Sequence, residues 1–444
     1  MVRWFSLAPL IQFKSGHVLL WRKDFSEISR TRTSYPPAFK MQRGALIYLL
    51  TQGEPMARPT PTTSVRQAFA HVYFIDLAGE LTSSVDAALL NAYQQASGDA
   101  RVVILNFSHL AYKNSSGIKL LVKLLTRGNA AGQRLFAVGL NAEYQNIFRV
   151  TQLDRGITVY ASEADALQAA HDLLDTPGSP LPAPSPNVAP AQPTVTKEPT
   201  DSWAKPVERL NIAEIPAGAL NLNVQGRPLF GPLQGFGQLW QKTYRIDLRN
   251  STLTAPHEVI ATWKQNVPKL KPSQKRFYPS SAGITPNALV LIDAETPGGP
   301  ISTGVMVLYA GAESFTVMTP AGHPEAGWAT FSSYIEDGCT FAQVQVLARA
   351  SDPLYELAFR LAGSKLQDQV WTHVLTALAA QLGTSGEVQM HNTLLDPKLQ
   401  WGRAGNIWYN AQLRTLLYRP ITLLRWIGTR LRRESRGKSK REDC

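Results

Sequence analysis

Cysteine is scarce in this chain: 444 residues carry only two, Cys339 and Cys444. One possible pair is no disulfide framework, and no Cys/His spacing matches a zinc site. A disulfide scaffold and a zinc module are therefore excluded, and a reducing, cytoplasmic compartment is expected. Long apolar runs are missing too. Nothing approaches the roughly 20 apolar residues that a membrane-spanning helix requires. The N-terminus, MVRWFSLAPLIQF, has no unbroken apolar stretch ahead of a small-residue cleavage site, so it does not read as a signal peptide. Negative charge is in deficit, with 33 Asp and Glu against 45 Lys and Arg, a formal net charge of +12. Such an excess favours an acidic partner, a nucleic acid or an anionic membrane. No nucleic-acid recognition motif appears, which argues against the second. No residue set forms a metal, nucleotide, cofactor or catalytic constellation.

What is present is organised in blocks. Hydrophobic residues make up 44% of the chain, enough for sizeable cores. Residues 1–64 mix charge, proline and short apolar pieces without sustained periodicity, and read as a disordered arm or as the product of a start placed too early, Met41 and Met56 being alternatives. From His71 onward strands and helices alternate. HVYFIDLAGEL, RVVILNFS, QRLFAVGL and ITVYAS are short apolar runs rich in β-formers. SVDAALLNAYQQA, SSGIKLLVKLLTRGNAAG, AEYQNIFRVTQL and EADALQAAHDLL have helical spacing. Residues 65–175 thus predict an α/β domain with a mixed sheet. Residues 176–229 open on TPGSPLPAPSPNVAPAQPTV and read as a Pro-rich linker. Residues 230–385 predict a strand, a helix, five successive antiparallel strands and a long helix capped by Ser351-Asp352-Pro353. A stripe of Leu354, Leu357, Leu361, Val370, Val374, Leu378 and Leu382 would be that helix's buried face. Residues 386–444 read as a basic tail.

The first block resembles the STAS domain of anti-sigma-factor antagonists. Gly79-Glu80-Leu81 comes after the first strand, where that family often has Gly-Glu-Leu-Asp. RVVILNFSHLAYKNSSGIKLL matches the family's strand, loop and Asp-Ser-Ser-Gly helix start. Gly132 matches the glycine before the family's next strand, and TQLDRGITVYASEADAL matches its ending. The resemblance implies a protein partner, such as an anti-sigma kinase, docking on Asn114, Ser115, Ser116, Gly117 and Lys119. It also implies phosphorylation at Ser115 rather than Ser116. Phosphate would add about −1.5 to −2 charge to that surface. Asn114 and Thr82 stand where the family has aspartate, so kinase contacts made through those carboxylates are missing. The other reading is a plain helix cap, with Asn114 or Ser115 accepting from the first free N–H groups. Both readings stand on the sequence.

The second block is similar to the Bet v 1-like, or SRPBCC, helix-grip superfamily. The likeness rests on element order and on the turn Pro320-Ala321-Gly322-His323-Pro324-Glu325. The implied fold is an α+β helix-grip domain, and the implied site an elongated apolar cavity for a small molecule or lipid. Trp240, Tyr244, Phe315, Trp328, Phe331, Phe341 and Trp371 are its candidate lining, each with core packing as the alternative. His323 and Glu325 lack an identifiable catalytic partner, and Cys339 reads as a buried small side chain. In the tail, Leu423, Leu424, Trp426, Ile427 and Leu431 alternate with arginines. This is the pattern of a basic amphipathic segment on the inner face of an anionic membrane, or of a solvated tail. The whole chain thus reads as a non-enzymatic regulatory protein: a STAS domain tethered to a ligand-binding module. Lipid handling at a membrane and an enzyme acting on an apolar substrate are the alternatives.

Overall fold

A computed structural model describes residues 62–79, 86–110, 116–175, 202–249 and 255–418. The expectations for the N-terminal arm, for Thr82, Asn114 and Ser115, for the proline run and for the tail beyond residue 418 fall outside these residues.

The first domain is a five-stranded mixed sheet, ordered β1-β2-β3-β4-β5. β1 (Thr62–Phe69) pairs antiparallel with β2 (Val72–Gly79). β3 (Val102–Leu110), β4 (Arg134–Val138) and β5 (Ile157–Val159) continue in parallel. Parallel strands are buried on both faces, hence the continuous apolar runs. One face (Ile75, Leu77, Val103, Leu105 and Ala137) packs under α1 (Asp86–Ala96), α2 (Ser116–Ala130) and α3 (Ala142–Val150). The other (Val72, Phe74, Ile104, Phe136 and Val138) packs against Ala166, Ala169 and Ala170 of α4 (Glu163–Asp175). Strand β1 precedes His71, the expected start of order. TTSVRQAF is an edge strand exposed along most of its length, so it carries little apolar signal. The two-residue turn after it holds His71 at φ 65.

The second domain is a nine-stranded sheet in the order β14-β7-β13-β12-β11-β10-β9-β8, with β6 (Leu229–Phe230) pairing off the path with β11. Its members are β7 (Leu239–Asp247), β8 (Lys275–Pro279), β9 (Leu289–Thr296), β10 (Gly299–Ala310), β11 (Ser314–Pro320), β12 (Glu325–Glu336), β13 (Cys339–Ala350) and β14 (Gln389–Asp396). The β12–β13 hairpin turns on Asp337 and Gly338, both at positive φ, as a two-residue hairpin of primed type demands. Helix α5 (Pro256–Asn266) comes after β7. After β13, Asp352 caps α6 (Pro353–Ala358), accepting from the N–H groups of Leu354 and Tyr355. A π-helical turn, Phe359–Gly363, joins α6 to α7 (Ser364–Gln381).

Three expectations are corrected here. First, the linker does not extend to residue 229. From residue 202 the chain straps across the sheet. Trp203 is buried against Tyr309, ring centroids 4.9 Å apart, and the Ala204 N–H donates to the Leu308 carbonyl at 2.7 Å. Buried Asn223 donates to the carbonyls of Ser302 and Ala411 and to Thr415 Oγ1. Polar and turn-rich composition hides this strap, because side-chain hydrogen bonds rather than an apolar stripe hold it. Second, residues 386–418 are not a tail. β14 completes the sheet, residues Trp401–Tyr409 form a 3₁₀ stretch, and Asn410 donates to Asp352. Third, the leucine stripe is broken. Val370, Val374, Leu378 and Leu382 are buried, whereas Leu354, Leu357 and Leu361 are exposed. Nine residues separate Leu361 from Val370, about half a turn out of phase on a helix, so the two groups of the stripe do not share a face.

The two domains share one hydrophobic core. Leu125, Ile147, Phe148 and Leu153 of the first belong to the same cluster as Trp203, Leu229, Met318 and Trp328 of the second. Asn146 Nδ2 donates to the Ala204 carbonyl at 3.1 Å and Gln152 Nε2 to the Leu229 carbonyl at 2.7 Å. Gly156 sits where a Cβ would meet Leu125 of its own domain and Leu233 of the other. The tether expected between independent modules is, over residues 202–229, part of the packing.

A candidate ligand cavity between sheet and helix

The concave face of the second sheet and helices α5 and α7 enclose a cavity of about 980 Å³. Volumes of this order hold drug-sized ligands. Its inner wall is aromatic. Phe315 and Phe331, cross-strand partners on β11 and β12, stack with centroids 4.5 Å apart. Trp263 of α5 and Trp371 of α7 meet Phe331 edge-on at 5.3 and 5.6 Å. Val317, Ala329 and Val374 fill between them.

One part of the wall is polar. The turn after β11 and the start of β12 bring His323 and Glu325 to the cavity, β8 brings Lys275, and α7 brings Gln367. Gln367 Nε2 donates to Glu325 Oε1 at 2.6 Å. The backbone N–H of Glu325 donates to His323 Nδ1 at 3.1 Å. The Glu325 carbonyl oxygen lies at the same 3.1 Å, so Nδ1 accepts from the N–H in one tautomer and donates to the carbonyl in the other. These groups keep part of their surface open to the cavity, yet the surrounding protein penalises charge on each. Burial pushes His323 down to about 4, with Lys275 adding to the effect, so the ring is neutral near pH 7. Burial raises the Glu325 carboxyl, against the pull of Lys242 and Lys275, and lowers the Lys275 ammonium, against the pull of Glu325.

The exposed residues of the lining include Glu295 of β9, Pro297 and Gly298 of the β9–β10 turn, and Leu361, Lys365 and Leu366 in and beside the π turn. Leu361, at 77% exposure, and Leu366, at 38%, are the exposed leucines among them.

Of the seven residues expected to line the cavity, Phe315, Phe331 and Trp371 do so with their rings in or against the cavity-side core. Trp328 borders it, but its side chain belongs to the core shared with the first domain. Trp240, Tyr244 and Phe341 do not line it. Trp240 lies at the start of β7, beside edge strand β14, and is exposed. Tyr244 is buried beneath α7, its hydroxyl donating to Asp368 Oδ1 at 2.6 Å beside the Lys242–Asp368 ion pair. Phe341 points to the opposite face of β13, stacked on Tyr334 and covered by the Arg245 guanidinium at 4.4 Å. Trp263, Lys275 and Gln367 were not expected. The first sits in a helix with weak patterning, and the others are polar residues whose inward placement only the register fixes. Cys339 is half-buried beside the β12–β13 turn rather than in the core. Among the described residues no cluster of His, Cys, Asp and Glu could hold a metal ion, and no helix is long and apolar enough to cross a membrane.

In the first domain, Ser116 opens α2, Gly117 is buried and Lys119 is half-buried. Helix α2 also touches β14, so the element that begins at the serine motif rests on the second domain. Near the carboxyl ends of β2 and β3, Asn106 Nδ2 donates to Asp76 (2.8 Å) and Glu163 (3.0 Å), which both also pair with Arg66.

The class defined by these observations is an α/β domain with a mixed sheet, joined to an α+β domain whose antiparallel sheet packs against a long helix. Residues 65–160 match the family model described as "Mlab, STAS domain", which supports a STAS-like α/β fold for this part of the chain. No curated protein matches the chain. Two solved structures similar to the first domain are an anti-sigma factor antagonist from Mycobacterium paratuberculosis and the phosphorylated form of the Bacillus cell fate determinant SpoIIAA. The former is 24% identical, covering 26% of this chain and 98% of its own, with a TM-score of 0.24. The latter is 21% identical, covering 24% and 99%, with a TM-score of 0.21. Protein Ms6760 from Mycobacterium smegmatis is similar at 11% identity, covering 32% of this chain and 90% of its own, with a TM-score of 0.25.

Proposed function

We propose that this chain is a non-enzymatic regulatory protein whose STAS domain binds a protein partner and whose helix-grip domain holds an apolar small molecule. Ligand occupancy would set the strength of partner binding. The observation that carries this reading is the cavity of about 980 Å³ walled by stacked aromatics, in a domain that shares its core with the STAS domain. A ligand that reshapes the cavity then acts on packing continuous with the partner module, which is the differential contact that coupling requires. The partner surface would centre on Asn114, Ser115, Ser116, Gly117 and Lys119, with Ser115 as the phosphorylated position. A second reading, lipid exchange with a membrane, is favoured by the exposed leucines of the cavity lining.

The deciding experiment is solvent extraction and mass spectrometry of the full chain purified from its native cells. A stoichiometric apolar molecule is expected, and Val317→Trp, which fills the cavity, should abolish it. A protein that carries nothing, and binds no apolar probe after purification, would overturn the reading.

A further inference from the structure

The polar part of the cavity wall has its own logic, which rests on the reading above that the cavity takes an apolar ligand. Lys275 lines the cavity and has no ion-pair partner among the described residues. The other lysine near Glu325, Lys242, is already bound to Asp368 at 3.0 Å and Ser364 at 2.8 Å. His323 Nε2 has no hydrogen-bond partner among the described residues, its Nδ1 lying 3.1 Å from both the N–H and the carbonyl of Glu325; an anion in the cavity would select the tautomer that carries the proton on Nε2. Glu325 gives one oxygen to Gln367 and leaves the other unbonded among the described residues. Lys275 Nζ, His323 Nε2 and one Glu325 oxygen thus belong to the lining of a cavity whose other side carries Trp263, Phe315 and Phe331. These groups are half-buried and open onto the cavity, where a bound molecule can pair them.

Their place in the lining is informative. Lys275 pairs in register with Ala294, next to Glu295 and the exposed β9–β10 turn. Lys275 thus lies at the β9–β10 turn end of the sheet, a separate part of the lining from Trp263, Phe315 and Phe331. A ligand with its body on those rings would have its head here.

We infer that the cavity is a site for an apolar monocarboxylic acid: its carboxylate pairs with the Lys275 ammonium and accepts from His323 Nε2–H, and its hydrocarbon body lies on the aromatic wall. Glu325 opposes this less than an ordinary carboxylate would, because burial pushes its carboxyl up and one of its oxygens is held by Gln367. An incoming anion would also restore the ammonium that burial disfavours on Lys275. A fatty alcohol of equal length would leave Lys275 unpaired and bind more weakly.

Isothermal titration calorimetry of the full chain at pH 7.5, with dodecanoate and with 1-dodecanol below their micellar concentrations, tests the assignment. The acid should bind at least tenfold more tightly than the alcohol, and Lys275→Met should erase that preference while Lys275→Arg keeps most of it. His323→Phe should weaken the acid several-fold more than the alcohol, an independent check if Lys275→Met folds poorly. Equal affinities in the native chain, or a preference untouched by Lys275→Met, would overturn the carboxylate anchor and leave the apolar cavity standing. Binding of neither ligand would count against both.

Discussion

Single residues set sharp limits on this fold. Gly322 has φ +92, and a Cβ there would run into the Tyr409 backbone carbonyl. Neither the conformation nor the space suits alanine. Gly322→Ala should cost at least ~3 kcal/mol, read as a drop in the urea midpoint at unchanged slope. Next to it, His323 makes stability pH-dependent. Its folded pKa of about 4 lies below the ordinary 6.5, so between those values the unfolded chain binds more protons and stability falls as pH falls. The loss should be on the order of 3 kcal/mol by pH 4. His323→Gln should flatten this acid limb in a pH series of denaturant melts. Glu325 acts with the opposite sign: its raised pKa favours the folded state at lower pH, and that contribution fades as pH rises through its folded value.

At the level of elements, the additions around the grip matter as much as the grip. β14 is clamped by Arg349, which bonds Asp396 at 2.5 Å and the Gly237 carbonyl at 2.8 Å in a buried setting. Asp396→Ala would strand that guanidinium and should cost about 3–5 kcal/mol. Trp203→Ala should cost a similar ~3–5 kcal/mol by opening a cavity under the strap, again visible in equilibrium melts. These were the parts the sequence concealed. Strands β2 to β5, β7 and β9 to β13 were legible because each is an apolar run ended by a turn residue, whereas β8, KRFYP, is short and charged and was not expected. Asp352-Pro353 was legible because its capping chemistry is local. The strap and the segment after α7 are held by Asn223, Asn406 and Asn410, whose partners lie far away in sequence. The cavity suffered similarly. Phe315, Phe331 and Trp371 follow from strand and helix alternation, whereas Phe341 failed by one step of register and Trp240 by its position at a strand start. Lys275 and Gln367 carry no local mark of facing inward.

At the scale of the whole molecule, the shared core changes what the two domains can do. Independent modules would melt separately. A core running from Leu125 and Ile147 to Leu229 and Met318 predicts one cooperative transition in scanning calorimetry. Leu233→Asp, which puts a charge against Leu125 and Gly156, should lower that transition or split it in two. A split caused by Leu233→Asp, with the cavity still competent for its ligand, would separate communication from binding.

The same seam bears on inheritance. A STAS domain fused by a mere tether can be traded between genes with little penalty. Here an exchange at residue 175 would bare Ile147, Phe148 and Leu153 on one side and Leu229 and Met318 on the other. Substitutions on either face of that seam must answer to the opposite face. The two halves are therefore expected to drift together along a lineage, and a recombinant that mixes them across distant lineages should be poorly soluble even though each half carries an intact fold.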